Sequence, residues 1–298
     1  MKSNKVFIIN RIVLIIILFI FIYILSKLEL YNSKNEKIKS PFAKTIAFIR
    51  FNRKLPERIP LMELYRPFFY ELHYSMVDYS KELNYTIDGW TNSDFPYKPV
   101  GDLMKLILEN HSFIQGLLYF HFDAWINPMN FTDMNFNNLW FPHSKFPPFR
   151  CDTNTSGWDR WPWTLRFHRA AQHIMKNLDK KYPKRFISNN SMFCSGWADI
   201  YYIPRRFFPD MIILIDEFSN AGLFHEVALP TIFNFMNLTY YSLFSSNILT
   251  KISDCWGFCC STGGEANLIY QYKCGHKMDL NNETIRQTFI HSLELQNL

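Results

Sequence analysis

The sequence predicts an α/β domain, a mixed and mostly parallel sheet flanked by helices, preceded by one N-terminal transmembrane helix. Three observations carry this reading. Strand-like and helix-like apolar patterns alternate along the chain. Aromatic residues are abundant, with 29 Phe, 16 Tyr and 8 Trp, and burying them offsets the entropy of ordering. One N-terminal run is apolar for long enough to cross a bilayer.

That run, residues 12–26 (IVLIIILFIFIYILS), carries no charge and is flanked by Arg11 and Lys27. A cleaved signal peptide needs a small-residue site after its apolar core. Lys27-Leu28-Glu29-Leu30 stands there instead, so the run reads as a signal anchor. Basic residues lie on both sides: Lys2, Lys5 and Arg11 before it, and Lys27, Lys34, Lys37, Lys39 and Lys44 after it. Charge alone therefore does not orient the span. Seven N-x-S/T sequons follow it, at Asn84, Asn110, Asn130, Asn154, Asn189, Asn237 and Asn282. Chance would give roughly three. All six cysteines (151, 194, 255, 259, 260 and 274) also follow it, as disulfides in an oxidising lumen would require. The expected layout is type II, in the Golgi or endoplasmic reticulum: cytosolic tail 1–11, span 12–26, stem 27–43 and lumenal α/β domain 44–298.

Within that domain, residues 45–51 (TIAFIRF) form a first strand. Residues 61–83 carry apolar side chains near helical spacing, with Pro67 as a kink or late start. Residues 85–90 are a second strand candidate and 100–109 a helix. Residues 113–122 (FIQGLLYFHF) are the strongest buried strand and run directly into Asp123. Residues 130–150 read as a loop, 164–179 as an amphipathic helix, and 200–203 as a strand ended by Pro204. Periodicity leaves 211–215 (MIILI) open between strand and buried helix. Residues 223–236 read as helix despite Pro230, 255–274 as loop, and 282–295 as the last helix.

The +6 formal charge is spread along the chain without a basic run, which argues against a nucleic-acid partner. Asp123 closes the greasiest strand, with His121 and Trp125 beside it. A carboxylate there can hold a divalent cation on phosphate oxygens. Asp199 precedes an aromatic strand that ends in Arg205 and Arg206, groups suited to clamping phosphate. His225-Glu226 opens a helix, and Glu226 or Asp199 is a candidate general base. His276 lies in a Gly-containing loop and is a candidate second metal ligand beside Asp123. Trp158, Trp161 and Trp163 are core residues or a carbohydrate platform.

In layout, these features resemble type II Golgi-type glycosyltransferases of the GT-A class: the anchor, the stem, the strand ending at Asp123, the Asp199 and His225-Glu226 segments, and the late His276. That class carries a D-x-D motif at a strand end; here the third position is Trp125. The W-x-D-I-Y-Y-I-P and H-E-x-A-x-P-T blocks are also similar to a set of uncharacterised fungal-type single-pass membrane proteins, which supply no activity. The resemblance implies sugar transfer from a nucleotide-sugar donor to a hydroxyl of a glycan or glycoprotein acceptor. It further implies Mn2+ on Asp123 and His276, with Trp125, Arg205 and Arg206 at the donor. The competing classes are a non-catalytic, membrane-tethered domain that binds glycan or protein, and a metal-dependent hydrolase using Asp123, His225 and Glu226. The lumenal orientation has a direct check. Protein made in a eukaryotic secretory pathway should lose apparent mass on endoglycosidase treatment, and unchanged mobility would remove the domain from the lumen.

Overall fold

Residues Thr45–Arg50 (TIAFIR) are buried along their whole length, as a central strand covered on both faces must be. The computed structural model describes residues 40–52, 55–75, 87–88, 96–142, 150–152, 164–187, 192–257 and 265–297. The strands are β1 (Thr45–Arg50), β2 (Glu71–Ser75), β3 (Ile87–Asp88), β4 (Gly116–His121), β5 (Ala124–Ile126), β6 (Leu139–Pro142), β7 (Arg150–Asp152), β8 (Phe193–Ser195), β9 (Ile200–Pro204), β10 (Leu249–Ile252), β11 (Cys255–Gly257) and β12 (Cys274–His276). The longer helices are α1 (Tyr97–Asn110), α2 (Thr164–Lys181), α3 (Phe208–Asn220), α4 (His225–Phe244) and α5 (Glu283–Gln296).

Seven strands make the main sheet, in the order β10-β6-β9-β4-β1-β2-β3. Only β9 runs against the others, pairing antiparallel with both β4 and β6. The sheet is thus mixed and mostly parallel, as expected. One face packs Ile46, Phe48, Leu117, Tyr119, Tyr201 and Ile203 into a single core with side chains of α1, α3 and α4. The other face packs Phe120 against Tyr65 and Phe69, and Tyr65 in turn against Phe289 of α5. Each such ring pair adds about 1 kcal/mol beyond its buried area. Two smaller sheets, β11-β12-β5 and β7-β8, lie beside the main one.

Pairing within the sheet fixes the register. Thr45 stands opposite Gly116, so Arg50 stands opposite His121. Gly116 has no room for a side chain, because a Cβ would lie 2.3 Å from the Tyr202 hydroxyl and 2.7 Å from the Ile203 carbonyl oxygen. From β1 the chain steps through β2 to β3 on one side, then returns to β4 on the other. That reversal is a topological switch point, and ligands of open α/β sheets bind beyond the carboxyl strand ends at such points.

Three expectations shift, and one reading left open is resolved. Residues 61–83 are not one helix. Short helical turns end at Tyr65, and Glu71–Ser75 extends to pair with β1. Pro60 and Pro67 leave little room for helix between them, and pairing overrides local periodicity. Inside the supposed loop 130–150, Leu139–Pro142 forms a fully buried strand. The run 211–215 belongs to a helix, α3. Within 255–274, Cys255–Gly257 and Cys274–His276 pair as strands of the small sheet.

Pro230 sits inside α4 without ending it. Proline cannot donate to the carbonyl four residues back, that of Glu226. The Gly196 N–H takes up that acceptor instead, at 3.0 Å.

Disulfides join Cys151 to Cys194 and Cys255 to Cys274, tying β7 to β8 and β11 to β12. Cys259 and Cys260, the span 12–26, Trp158, Trp161, Trp163, Asn84, Asn154 and Asn189 lie outside the described residues. Among the described residues no helix is long and apolar enough to cross a membrane. The compact unit is Ser40–Leu298, against the expected 44–298. Phe42 explains the earlier start: it is fully buried and packs on Phe69, Phe131, Phe136 and Trp140. Asn110, Asn130 and Asn282 are exposed, whereas Asn237 is half-buried with its side-chain oxygen accepting the Ile248 N–H.

His73 on β2 is buried and stacked on Phe48, with ring centroids 5.2 Å apart. Neither ring nitrogen has a hydrogen-bond partner among the described residues. Burial pulls its pKa from 6.5 to about 4. Between those values the unfolded chain binds the extra proton, so stability falls as pH falls through that window. The gap is worth about 3 kcal/mol. His73→Phe keeps the stack and removes the titration. In urea titrations at pH 7 and pH 4, the variant should lose about 3 kcal/mol less than the parent on acidification.

Candidate metal centre at the end of β4

Five titratable side chains meet beyond the carboxyl end of β4, and the chain brings each from a different place. His121 is the last residue of β4, and Asp123 follows in the turn to β5. Asp199 precedes β9, whose antiparallel course returns it beside His121; the His121 N–H donates to the Asp199 carbonyl at 3.2 Å. His225 opens α4, and His276 closes β12, which pairs antiparallel with β5. Asp123, Asp199, His225 and His276 are all buried.

The contacts are close. His276 Nε2 lies 3.2 Å from Asp123 Oδ1, and His276 Nδ1 lies 3.6 Å from Asp199 Oδ2. His121 Nδ1 lies 3.2 Å from Asp199 Oδ1 and 4.0 Å from Asp123 Oδ1. His225 Nε2 lies 4.0 Å from Asp199 Oδ1. Two groups, His121/Asp199/His225 and His121/Asp123/His276, each gather three donor atoms within 4.8 Å of one another, and either could hold a metal ion. Ligands bound about 2.1 Å from one ion stand roughly 3–4 Å apart, so these spacings suit a shared cation. Asp123 Oδ1 and both ring nitrogens of His225 have no hydrogen-bond partner among the described residues. Buried polar atoms are rarely left so, and an ion would satisfy them.

Electrostatics sorts the two groups. Burial, with Arg50 next in effect, holds His121 and His225 well below the usual imidazole pKa, so both rings are neutral. Arg50, missed in the sequence because it merely ends an apolar strand, has its Nη1 2.9 Å from His121 Nε2. A guanidinium can only donate, so Nε2 carries the lone pair and the ring proton is assigned to Nδ1. Nδ1–H then donates to Asp199, a bond that a cation in either three-donor group would replace. His121 orients the site, as second partners of metal-site residues do. Asp123 and His276 remain as the close carboxylate–imidazole pair of the second group. Burial lowers the His276 pKa, but the Asp199 and Asp123 carboxylates outweigh it and the net direction is up. Burial raises that of Asp199, and the nearby Asp123 charge adds to it.

Other expected site residues lie elsewhere. Trp125 is buried against Trp256, with ring centroids 5.9 Å apart. Its ring occupies the space a Gly275 side chain would need, so it packs the small sheet and does not face a donor. Arg205 and Arg206 follow β9 at its other end, beside Gln115, where β4 begins. Five residues of extended chain, about 16 Å, separate that edge from Asp199. Arg205 donates to the carbonyls of Ile107, Leu108 and His111 and caps the C-terminus of α1. Arg206 donates to the Asn137 carbonyl. From the His225-Glu226 segment it is His225 that enters the cluster, while Glu226 is half-buried one residue on. The exposed cation near the cluster is Lys277, its Nζ 4.0 Å from Asp123 Oδ2.

Arg205→Ala should lower stability by about 1–3 kcal/mol, through the lost carbonyl partners. It should leave divalent-metal affinity unchanged by isothermal titration; a tenfold loss of metal affinity would return Arg205 to the site. No family model and no curated protein matches the chain, so the site's chemistry rests on its own residues.

Proposed function

We propose that the protein transfers a sugar from a nucleotide-sugar donor to a hydroxyl acceptor, with a divalent metal held by Asp123 and His276. The observation that supports this most is the close Asp123–His276 pair beyond the carboxyl ends of β1 and β4, in a group of three donors that could hold a metal ion. A carboxylate and an imidazole leave coordination positions for phosphate oxygens, the usual way such cations are shared with substrate. The mixed, mostly parallel sheet agrees with the GT-A-like fold that the sequence resembles.

When bound, Mn2+ would neutralise charge on the diphosphate leaving group. The chain's own residues do the rest. Lys277 faces the donor side of Asp123 and adds the positive charge first expected of Arg205 and Arg206. Asp199, flanked by two imidazoles, fixes the His276 ring. Glu226, on the first turn of α4, is the carboxylate for taking the acceptor proton. The anchor and sequons point to a lumenal setting in the Golgi or endoplasmic reticulum, with a glycan or glycoprotein as acceptor.

A thermal-shift screen of nucleotide sugars with Mn2+ tests the reading. A donor at 100 times its Kd adds about 2.7 kcal/mol, or roughly 5–10 °C for a domain of this size. At least one donor should give such a shift, and Asp123→Asn and His276→Ala should each abolish it. A flat screen, or a shift that survives Asp123→Asn, would end the proposal.

A further inference from the structure

The end of the main sheet opposite Asp123 carries an unusual surface. Among the described residues eight large apolar side chains are exposed, and six gather here: Tyr70, Leu106, Phe113, Tyr241, Leu243 and Phe244. Phe244, Tyr241 and Phe113 are 67%, 61% and 49% exposed. They fall in two groups. Tyr70 and Phe113 meet edge to face at 4.8 Å, just before β2 and β4 begin. Phe244 contacts Tyr240, and Tyr240 contacts Phe207, which follows β9. The Arg206 guanidinium lies over the Phe207 ring at 4.3 Å. A cleft of about 570 Å3 beside Phe113 is also lined by Gln115, Asn137 and Arg206.

The same edge is where the described domain begins. Ser40 and Phe42 lead into β1 here, and the Lys44 carbonyl accepts from Gln115 N–H. Thirty-nine residues precede Ser40, including the apolar run 12–26 and the basic residues Lys34, Lys37 and Lys39. Exposed aromatics beside cations are the pattern of a membrane interface, where rings sit at headgroup depth and basic groups meet phosphate.

We infer that this aromatic edge of the domain rests on the lipid surface of the bilayer that the N-terminal apolar run enters. The inference does not depend on the proposed sugar transfer. The occupant is lipid because the chain enters this edge from an apolar, membrane-length segment, and because Lys44 and Arg206 supply cations at its rim.

The full-length chain, reconstituted in phosphatidylcholine vesicles containing some phosphatidylserine and a diazirine-bearing phospholipid, tests it by photolabelling and peptide mapping. Labels should appear within 12–26 and also on peptides carrying Phe113 and Tyr241 to Phe244. The triple variant Tyr241→Ser, Leu243→Ser, Phe244→Ser should lose the second set at least fivefold, with its circular dichroism unchanged. If that variant fails to fold, Phe113→Ser read on its own peptide serves instead. Labels confined to 12–26, no lipid labels at all, or protein-protein crosslinks joining this edge to a second copy would each overturn the inference. Glycan mapping gives an independent check. Asn110 lies exposed at this edge and should stay bare while Asn130 and Asn282 are modified; a glycan on Asn110 would hold the edge off the bilayer and overturn the inference as well.

Discussion

The alignment of β1 with β4 is the constraint on which the rest depends. Thr45 opposite Gly116 sets Arg50 opposite His121, and a one-residue slip would send both to the wrong face. Gly116 protects that alignment, because the Tyr202 hydroxyl and the Ile203 carbonyl already fill the place of a side chain. With the alignment fixed, a guanidinium that can only donate meets an imidazole nitrogen, and the imidazole has one protonation pattern left. Its second nitrogen then points at Asp199. A backbone pairing in the sheet centre thereby sets how the His121 ring sits in the cluster.

The cluster is a costly thing to bury. Two carboxylates, three imidazoles and a guanidinium share a small volume at the rim of the sheet. Keeping His121 and His225 neutral avoids part of the cost, and Arg50 offsets part of the carboxylate charge. What is left is an excess of buried negative charge, with two carboxylates beside one guanidinium. Such an excess is destabilising unless a cation or proton answers it.

Much of this was legible in the chain. Asp123 stood out because an apolar strand ran straight into it, and His276 because a histidine followed a glycine in a cysteine-bearing stretch. The α/β alternation gave the layers. Strand direction was not legible. Asp199 and Arg205 flank the same strand, so the sequence offers both as site residues. Because β9 runs backwards, the first reaches the cluster and the second becomes a helix cap at the far edge. Arg50 carried no local signal either, since its role exists only through a neighbour 71 residues away. The strand at Leu139–Pro142 was hidden by its Pro-rich, polar flanks, which obscure a four-residue buried run.

Pro230 bears on how the cluster moves. By leaving the Glu226 carbonyl without its helical donor, it lends that oxygen to Gly196, three residues before Asp199. Thr231, the next residue, holds both the N–H and the carbonyl of Cys194. The opening turns of α4 are therefore stitched to the loop that delivers the buried acid, so a tilt of this helix drags Asp199 along with His225. A residue usually regarded as a helix breaker thus adds a second stitch to the one Thr231 makes, and restoring a regular helix at that position would leave the Thr231 hydroxyl to hold the loop by itself.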